Sequence, residues 1–265
     1  MNAYLALARA SLARQFRYRG ANLAGLITNF FFGVIRVSVM VALYNANPAA
    51  APAGYDLAKA VTYLACAQAI IGWVALWGWW DLVRALKGGE VVADLQRPID
   101  FFGLWAAQDF GRAIAQLFLR AIPIMLAFAL VYPLVGPADI GQLLIFILSF
   151  ALAWFLSFTW RFLFSILGFW VTDGTGFARL AIFSATFFTG FLMPLSLFPD
   201  ALAGVLRWLP FAGMVATPLD VFSNALRGPE ALVAVAVQAF WALALYALAQ
   251  ATFTAGVRRL TTQGG

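Results

Sequence analysis

Chemistry in this chain has few side chains to draw on. There is no histidine, which excludes imidazole proton relays, imidazole metal ligands and a Ser-His-Asp triad. The one cysteine, Cys66, sits in an apolar run. A single thiol forms neither an intrachain disulfide nor a thiolate metal cluster, and Cys66 reads as a small buried hydrophobe. Asp109 and Asp173 do not form a carboxylate pair by spacing. Gly88-Gly89 is a turn, and no Walker A sequence or Gly-rich phosphate loop appears. No catalytic, cofactor-binding or metal-ligating residue is therefore assigned.

Guanidinium groups remain. Arg9, Arg14, Arg17 and Arg19 precede the first long apolar run, and no acid accompanies them. Arg36, Arg120 and Arg161 fall inside apolar runs, where a charge is costly unless it snorkels or faces protein. Arg36 lies in the outer half of its run, with Thr28 and Asn29 on nearby turns. Snorkelling to headgroups, a contact inside the membrane domain and a place in a substrate path all stay open for it.

The elements that must carry these residues are membrane spans. Apolar residues make up 64% of the 265 and charged residues 11%, with a mean hydropathy of +0.88. An ordinary soluble domain is about one quarter charged. The net charge of +6 contains no basic block suited to nucleic acid and fits anionic headgroups better. A span needs about 20 mostly apolar residues. Six runs qualify as expectations: 23–43, 59–80, 113–132, 140–170, 177–198 and 232–253. The run 140–170 is too long for one perpendicular crossing. Pro123 is expected to kink the third span.

Residues 1–19 read as an interfacial helix and not a signal peptide, with Arg9, Arg14, Arg17 and Arg19 as headgroup anchors. Residues 44–58, with Pro48 and Pro52, read as an outer loop. Residues 81–112 form the most charged internal segment, expected as two short cytoplasmic helices near 82–87 and 99–109. The turn at 172–176 is assigned inside. Residues 199–230 hold Pro199, Pro210, Pro218 and Pro229 and read as short outer helices, some dipping into the membrane. This topology puts Arg84, Lys87, Arg97, Arg112, Arg179, Arg258 and Arg259 inside with the N-terminal arginines. Only Lys59, Arg207 and Arg227 fall outside. The positive-inside rule favours it, with both termini cytoplasmic.

Several segments carry a resemblance. They are Leu7-Ala8-Arg9-Ala10-Ser11-Leu12 with Phe16-Arg17-Tyr18-Arg19 and Asn22, Leu95-Gln96-Arg97-Pro98-Ile99 with Asp109-Phe110-Gly111-Arg112, and Gly190-Phe191-Leu192-Met193-Pro194-Leu195-Ser196-Leu197-Phe198-Pro199. Leu206-Arg207-Trp208-Leu209-Pro210-Phe211 with Thr217-Pro218 and the closing Arg258-Arg259-Leu260 complete the set. In this order they resemble the ABC-2-type permease subunits of bacterial exporters, in particular the branch in which two permease genes accompany one ATPase gene.

The resemblance implies an all-α polytopic fold of the ABC-2, type V exporter kind. It has six transmembrane helices, an N-terminal interfacial helix, a cytoplasmic coupling helix and outer re-entrant helices. It implies a multi-pass permease of the bacterial cytoplasmic membrane that is no enzyme itself. Its partners would be membrane lipid, an ABC ATP-binding subunit dimer carrying ATP and Mg, and a second permease, a sister chain or an identical one. No nucleic acid is implied. Coupling to the ATPase is expected at Arg84, Lys87, Leu95, Arg97 and Pro98. Cavity or gate residues are expected among Thr28, Asn29, Arg36, Met193 and Pro194. The rival readings are an ion-gradient-driven secondary transporter, which usually needs repeats and embedded acids, and a non-transport membrane scaffold.

Overall fold

A computed structural model describes residues 3–47, 55–171 and 173–259. Among them the chain is helical, without strands. Pro48, Pro52, Thr172 and Leu260 of the expected loops and closing motif lie outside the described residues. Five helices among the described residues are long and apolar enough to cross a membrane: Arg19–Ala46, Leu57–Val74, Phe101–Ala129, Ile140–Phe169 and Gly228–Val257.

Helix α1 (Ala3–Arg17) is followed at once by α2 (Arg19–Ala46), which starts four residues before the expected 23. Helix α3 (Leu57–Val74) opens on Asp56, whose carboxylate caps the Lys59 amide at 2.8 Å. It stops well short of the expected 80. Ala75 takes a left-handed conformation (φ 48°) that ends it, and Trp77–Trp80 continue as irregular chain.

The charged segment differs most from expectation. Helix α4 (Asp81–Gly88) ends at Gly89, where φ is 76°, and α5 (Val91–Leu95) follows. The piece expected near 99–109 is no separate helix. Asp100 caps the Gly103 amide at 2.5 Å and starts α6 (Phe101–Gln116), which runs on through a π-helical turn at Leu117–Ala121 into α7 (Ile122–Ala129). The third crossing therefore begins at Phe101, not 113. The wide turn comes just before Pro123, whose missing N–H prevents regular α-helical bonding there.

Helix α8 (Ile140–Ile166) is extended by a 3-10 turn at Leu167–Phe169. Its 30 residues span about 45 Å, against a hydrocarbon core of about 30 Å, so it tilts or projects. Helix α9 (Thr175–Phe188) has 14 residues, or about 21 Å. It does not reach the expected 198, because Gly190 (φ 81°) breaks the chain. Short helices α10 (Asp200–Trp208), α11 (Pro210–Met214) and α12 (Ala216–Phe222) follow. The last helix, α13 (Gly228–Val257), overshoots the expected 232–253 at both ends.

The bundle has two distinct ends. At one, α1, α4, α5 and the last turns of α8 and α13 come together: Arg14 pairs with Asp81 at 2.8 Å, Lys87 with Asp173 at 2.8 Å, and Gly256 packs on Phe169. At the other end, side-chain amides pin the short helices. Gln142 donates to the Val221 and Leu226 carbonyls at 2.7 and 2.8 Å, and Gln238 to those of Ser149 and Gly213 at 2.8 and 2.7 Å. These bonds close backbone groups that broken helices leave open.

Helix α1 lies directly on α6. A Cβ built on Gly111 would sit 2.0 Å from the Ala8 carbonyl oxygen, which is backbone and cannot swing aside. Gly111→Ala should lift α1 off α6, seen as severalfold faster trypsin cleavage at Arg9, Arg14 or Arg17 and a lower melting temperature. Gly176→Ala, where a Cβ meets nothing within 4 Å, should change neither.

Candidate functional site

The arginine left without a partner in sequence, Arg161, defines the main polar site inside the helix bundle. It lies on α8, is buried, and makes a two-toothed contact with Asp109 of α6: Nη1 to Oδ1 at 3.3 Å and Nη2 to Oδ2 at 3.0 Å. Asp109 is 0% exposed. It also accepts from Arg112 Nε at 2.8 Å and from the Trp154 indole at 2.9 Å. One carboxylate thus holds two guanidiniums and an indole, and charge-assisted bonds of this kind are the strong ones.

The node also closes the end of α3. A helix leaves its last carbonyls unpaired. Arg112 donates to those of Gly72 and Trp73, and the Ser157 hydroxyl to that of Val74. A cation suits this negative helix end. Aromatic rings flank the buried Arg161, which lies 5.8 Å from the Trp79 ring and 5.9 Å from the Phe158 ring. Trp79 also packs edge-on to Trp105 of α6. Trp73 and Trp79 are buried packing partners, while Trp77 is half exposed.

Helix α4 begins two residues after Trp79. Its Leu82, Val83 and Ala85 are buried, and Arg84 and Lys87 point outward. Leu95 is half-buried and Arg97 and Pro98 are exposed. Arg97 pairs loosely with Asp94 at 3.6 Å. The expected anchors Arg9, Arg14, Arg17 and Arg19 are all exposed, and Arg14 shares Asp81 with Arg84. The structure therefore puts α4, its charged face and the node in one continuous path.

The expected gate residues divide. Arg36 Nη1 donates to the Phe191 carbonyl at 3.1 Å, and the guanidinium lies 4.4 Å from the Phe191 ring. The Gln68 amide, with its oxygen toward the guanidinium, accepts from Arg36 at 3.1 Å and donates to the Asn29 carbonyl at 3.1 Å. Of the three readings open for Arg36, the geometry is that of a contact inside the membrane domain. Tyr63 donates to the Gly190 carbonyl at 2.8 Å, and the Ala216 amide to that of Thr189 at 3.0 Å. Asn29 and Arg36 are thus joined to the 189–194 break. Pro194 is buried there, Met193 is partly exposed, and Thr28 lies on the exposed side of α2. Arg120 sits on the π turn, its guanidinium over Gly25, and its Nε has no partner among the described residues.

Sequence reading missed Asp220. On α12 it accepts from the Tyr55 hydroxyl and lines a cavity of about 410 Å³ with Arg207, Trp208 and Glu230. Burial pushes its carboxyl up to about 7, against the pull of the Tyr55 hydrogen bond and the Arg207 charge. Its unfolded value is about 3.9. Between these values the folded chain holds more protons, so stability from Asp220 is full below about pH 4 and lost as pH rises to about 7. Melting temperature should fall across that window, and Asp220→Asn should remove this part of the slope.

The node gives a sharper prediction. Removing one partner of a buried pair costs about 3–5 kcal/mol, while replacing both with apolar groups costs far less. Asp109→Leu alone and Arg161→Met alone should each lower thermal stability strongly. The double variant removes both partners of the Asp109–Arg161 pair, so it should lose clearly less than the sum of the two, with a residual loss because Arg112 keeps its charge, measured by unfolding in detergent.

Residues 32–264 match a family described as ABC-2 family transporter protein. A search of curated proteins finds no match. The match takes in the second part of α2, the other long helices, the buried node and the short helices of the opposite end, and by it the chain belongs to the ABC-2 family, as a membrane-embedded transporter permease.

Proposed function

We propose that this permease is one of two membrane halves of an ATP-driven exporter in the bacterial cytoplasmic membrane. The arginine-rich end faces the cytoplasm. A separate ATPase dimer, carrying ATP and Mg, docks on α4, α5 and the following turn, where Arg84, Lys87, Leu95, Arg97 and Pro98 lie. A second permease, a sister chain in this reading, completes the translocation path. The observation that carries the proposal is the path from α4 through Trp79 to the Asp109 node, which ties α3, α6 and α8 together.

The mechanism follows from that path. Closure of the ATPase dimer pushes α4. The push reaches a packed ring of indoles and guanidiniums that does not deform gradually, because packed cores switch between discrete arrangements. Helices α3, α6 and α8 then move as one body. At the far end the 189–194 break, held by Arg36 and Tyr63, is where the chain can change its path. The break is a left-handed glycine, Gly190, pinned by hydrogen bonds from Arg36, Tyr63 and the Ala216 amide, and that is where a change of path would be made.

An ion-gradient mechanism would use an embedded acid that gains and loses a proton. Asp109, the buried acid of the crossings, is held by two guanidiniums instead, and the half-buried Asp220 lies outside the crossings on the short α12, bonded to the Tyr55 hydroxyl. Export coupled to a partner ATPase fits this better.

Reversing charge at Arg84→Glu with Lys87→Glu tests docking. These exposed ion pairs contribute little to stability, so the chain should fold normally. Co-purification with the ATPase and permease-dependent ATP turnover should both fall at least severalfold. Unchanged assembly and unchanged coupled turnover would remove the docking role.

A further inference from the structure

The cavity of about 410 Å³ at the short-helix end lies between α10, α12 and α13. Its size is that of a small-molecule site. Asp220 lines it half-buried, and Arg207, Trp208, Glu230 and Val233 line it as exposed residues. None of these side chains is sealed in the core.

The Asp220 carboxylate is only partly used. The Tyr55 hydroxyl donates to Oδ1, and Oδ2 receives no hydrogen bond among the described residues. An ionised carboxylate has about four acceptor positions. Glu230 is the second acid of the lining, and Arg207 is its one cation. Arg207 pairs with neither acid among the described residues. Two carboxylates against one guanidinium leave the cavity one positive charge short. Burial holds the Asp220 carboxyl up at about 7 in spite of the Arg207 charge, which agrees with that shortage.

The walls define the rest of the ligand. Val233 and Val237 of α13 give an apolar side, and Trp208 offers a ring face to a cation. A carboxylate, an indole and an aliphatic wall suit an ammonium group on an apolar body. An anion would meet the two acids, and a neutral apolar molecule would bury the open Asp220 oxygen without a partner.

We infer that this cavity binds an amphipathic amine, with the ammonium on Asp220 Oδ2 and the apolar body along α13. Occupancy then bears on α12, whose Ala216 amide holds the Thr189 carbonyl at 3.0 Å beside the Gly190 break. The inference deepens the exporter reading by naming a ligand class for its outer end, and binding itself needs no ATPase.

Equilibrium binding of radiolabelled 4-phenylbutylamine to the purified chain in phosphatidylcholine nanodiscs tests this, at about pH 8, above the Asp220 value of about 7. One saturable site per chain is expected. The neutral 4-phenylbutanol should compete at least about tenfold more weakly, the scale of one charge-assisted hydrogen bond, and the anionic 4-phenylbutanoate should not compete. Asp220→Asn keeps an acceptor for Tyr55 and should weaken binding at least about tenfold. Arg207→Gln removes the opposing cation and should tighten binding about threefold, a gain that misfolding cannot produce. Dihexanoyl phosphatidylethanolamine separates two sources of the amine: displacement identifies a lipid headgroup and no displacement a free amphipathic amine, and either supports the site. Uptake without saturation, equal competition by 4-phenylbutanol, an unchanged Asp220→Asn variant, or no gain in Arg207→Gln would each overturn the inference. The Arg84→Glu, Lys87→Glu chain should bind the amine normally, so loss of ATPase docking and loss of this site are told apart.

Discussion

The Asp109 carboxylate is the constraint on which the rest of the molecule depends. Two arginines and a tryptophan from two helices converge on it, and one of those arginines also closes the end of a third helix. A lone ionised carboxylate in an apolar bundle would be strongly destabilising. Its partners must therefore arrive together, and their arrival fixes how α3, α6 and α8 cross. A paired network of this kind adds little to net stability compared with an apolar core. Its contribution is geometric, a single allowed arrangement at the level where α4 meets the membrane helices.

The two ends of the bundle solve different problems. The arginine-rich end uses ion pairs, aromatic rings and the close approach of α1 to Gly111. The opposite end uses neutral amides. Gln142, Asn224 and Gln238 bind backbone carbonyls that the short helices cannot satisfy alone. Charge is present there as well, in Arg36 on the Phe191 carbonyl and in the half-buried Asp220, which accepts from the Tyr55 hydroxyl.

Much of this was legible in the sequence. Apolar runs and basic loops located the long helices, and proline spacing located the short helices of 199–230. Arg36 stood out by the cost of a charge in an apolar run, and the structure joins its guanidinium and the Asn29 carbonyl, through Gln68, to the break at 189–194. Helix ends were harder. Ala75 in a left-handed turn has no sequence signal, so α3 read six residues too long. Asp109 and Arg112 read as charges of the cytoplasmic segment because pairing across 52 residues, from Asp109 to Arg161, leaves no local periodicity. The cap at Asp100 was the available signal that α6 starts early. Asp220 and the amides of Gln142 and Gln238 were missed because polar residues in apolar runs do not announce their partners.

The central claim is that α3, α6 and α8 are one cooperative body through the Asp109 node. Native-state hydrogen exchange of the chain in lipid nanodiscs addresses it directly, comparing wild type with Asp109→Asn. The account predicts that backbone amides around Gly72–Val74, Asp109–Ala113 and Phe158–Phe162 lose protection together and by a similar factor. Faster exchange confined to α6, with α3 and α8 unchanged, would contradict it.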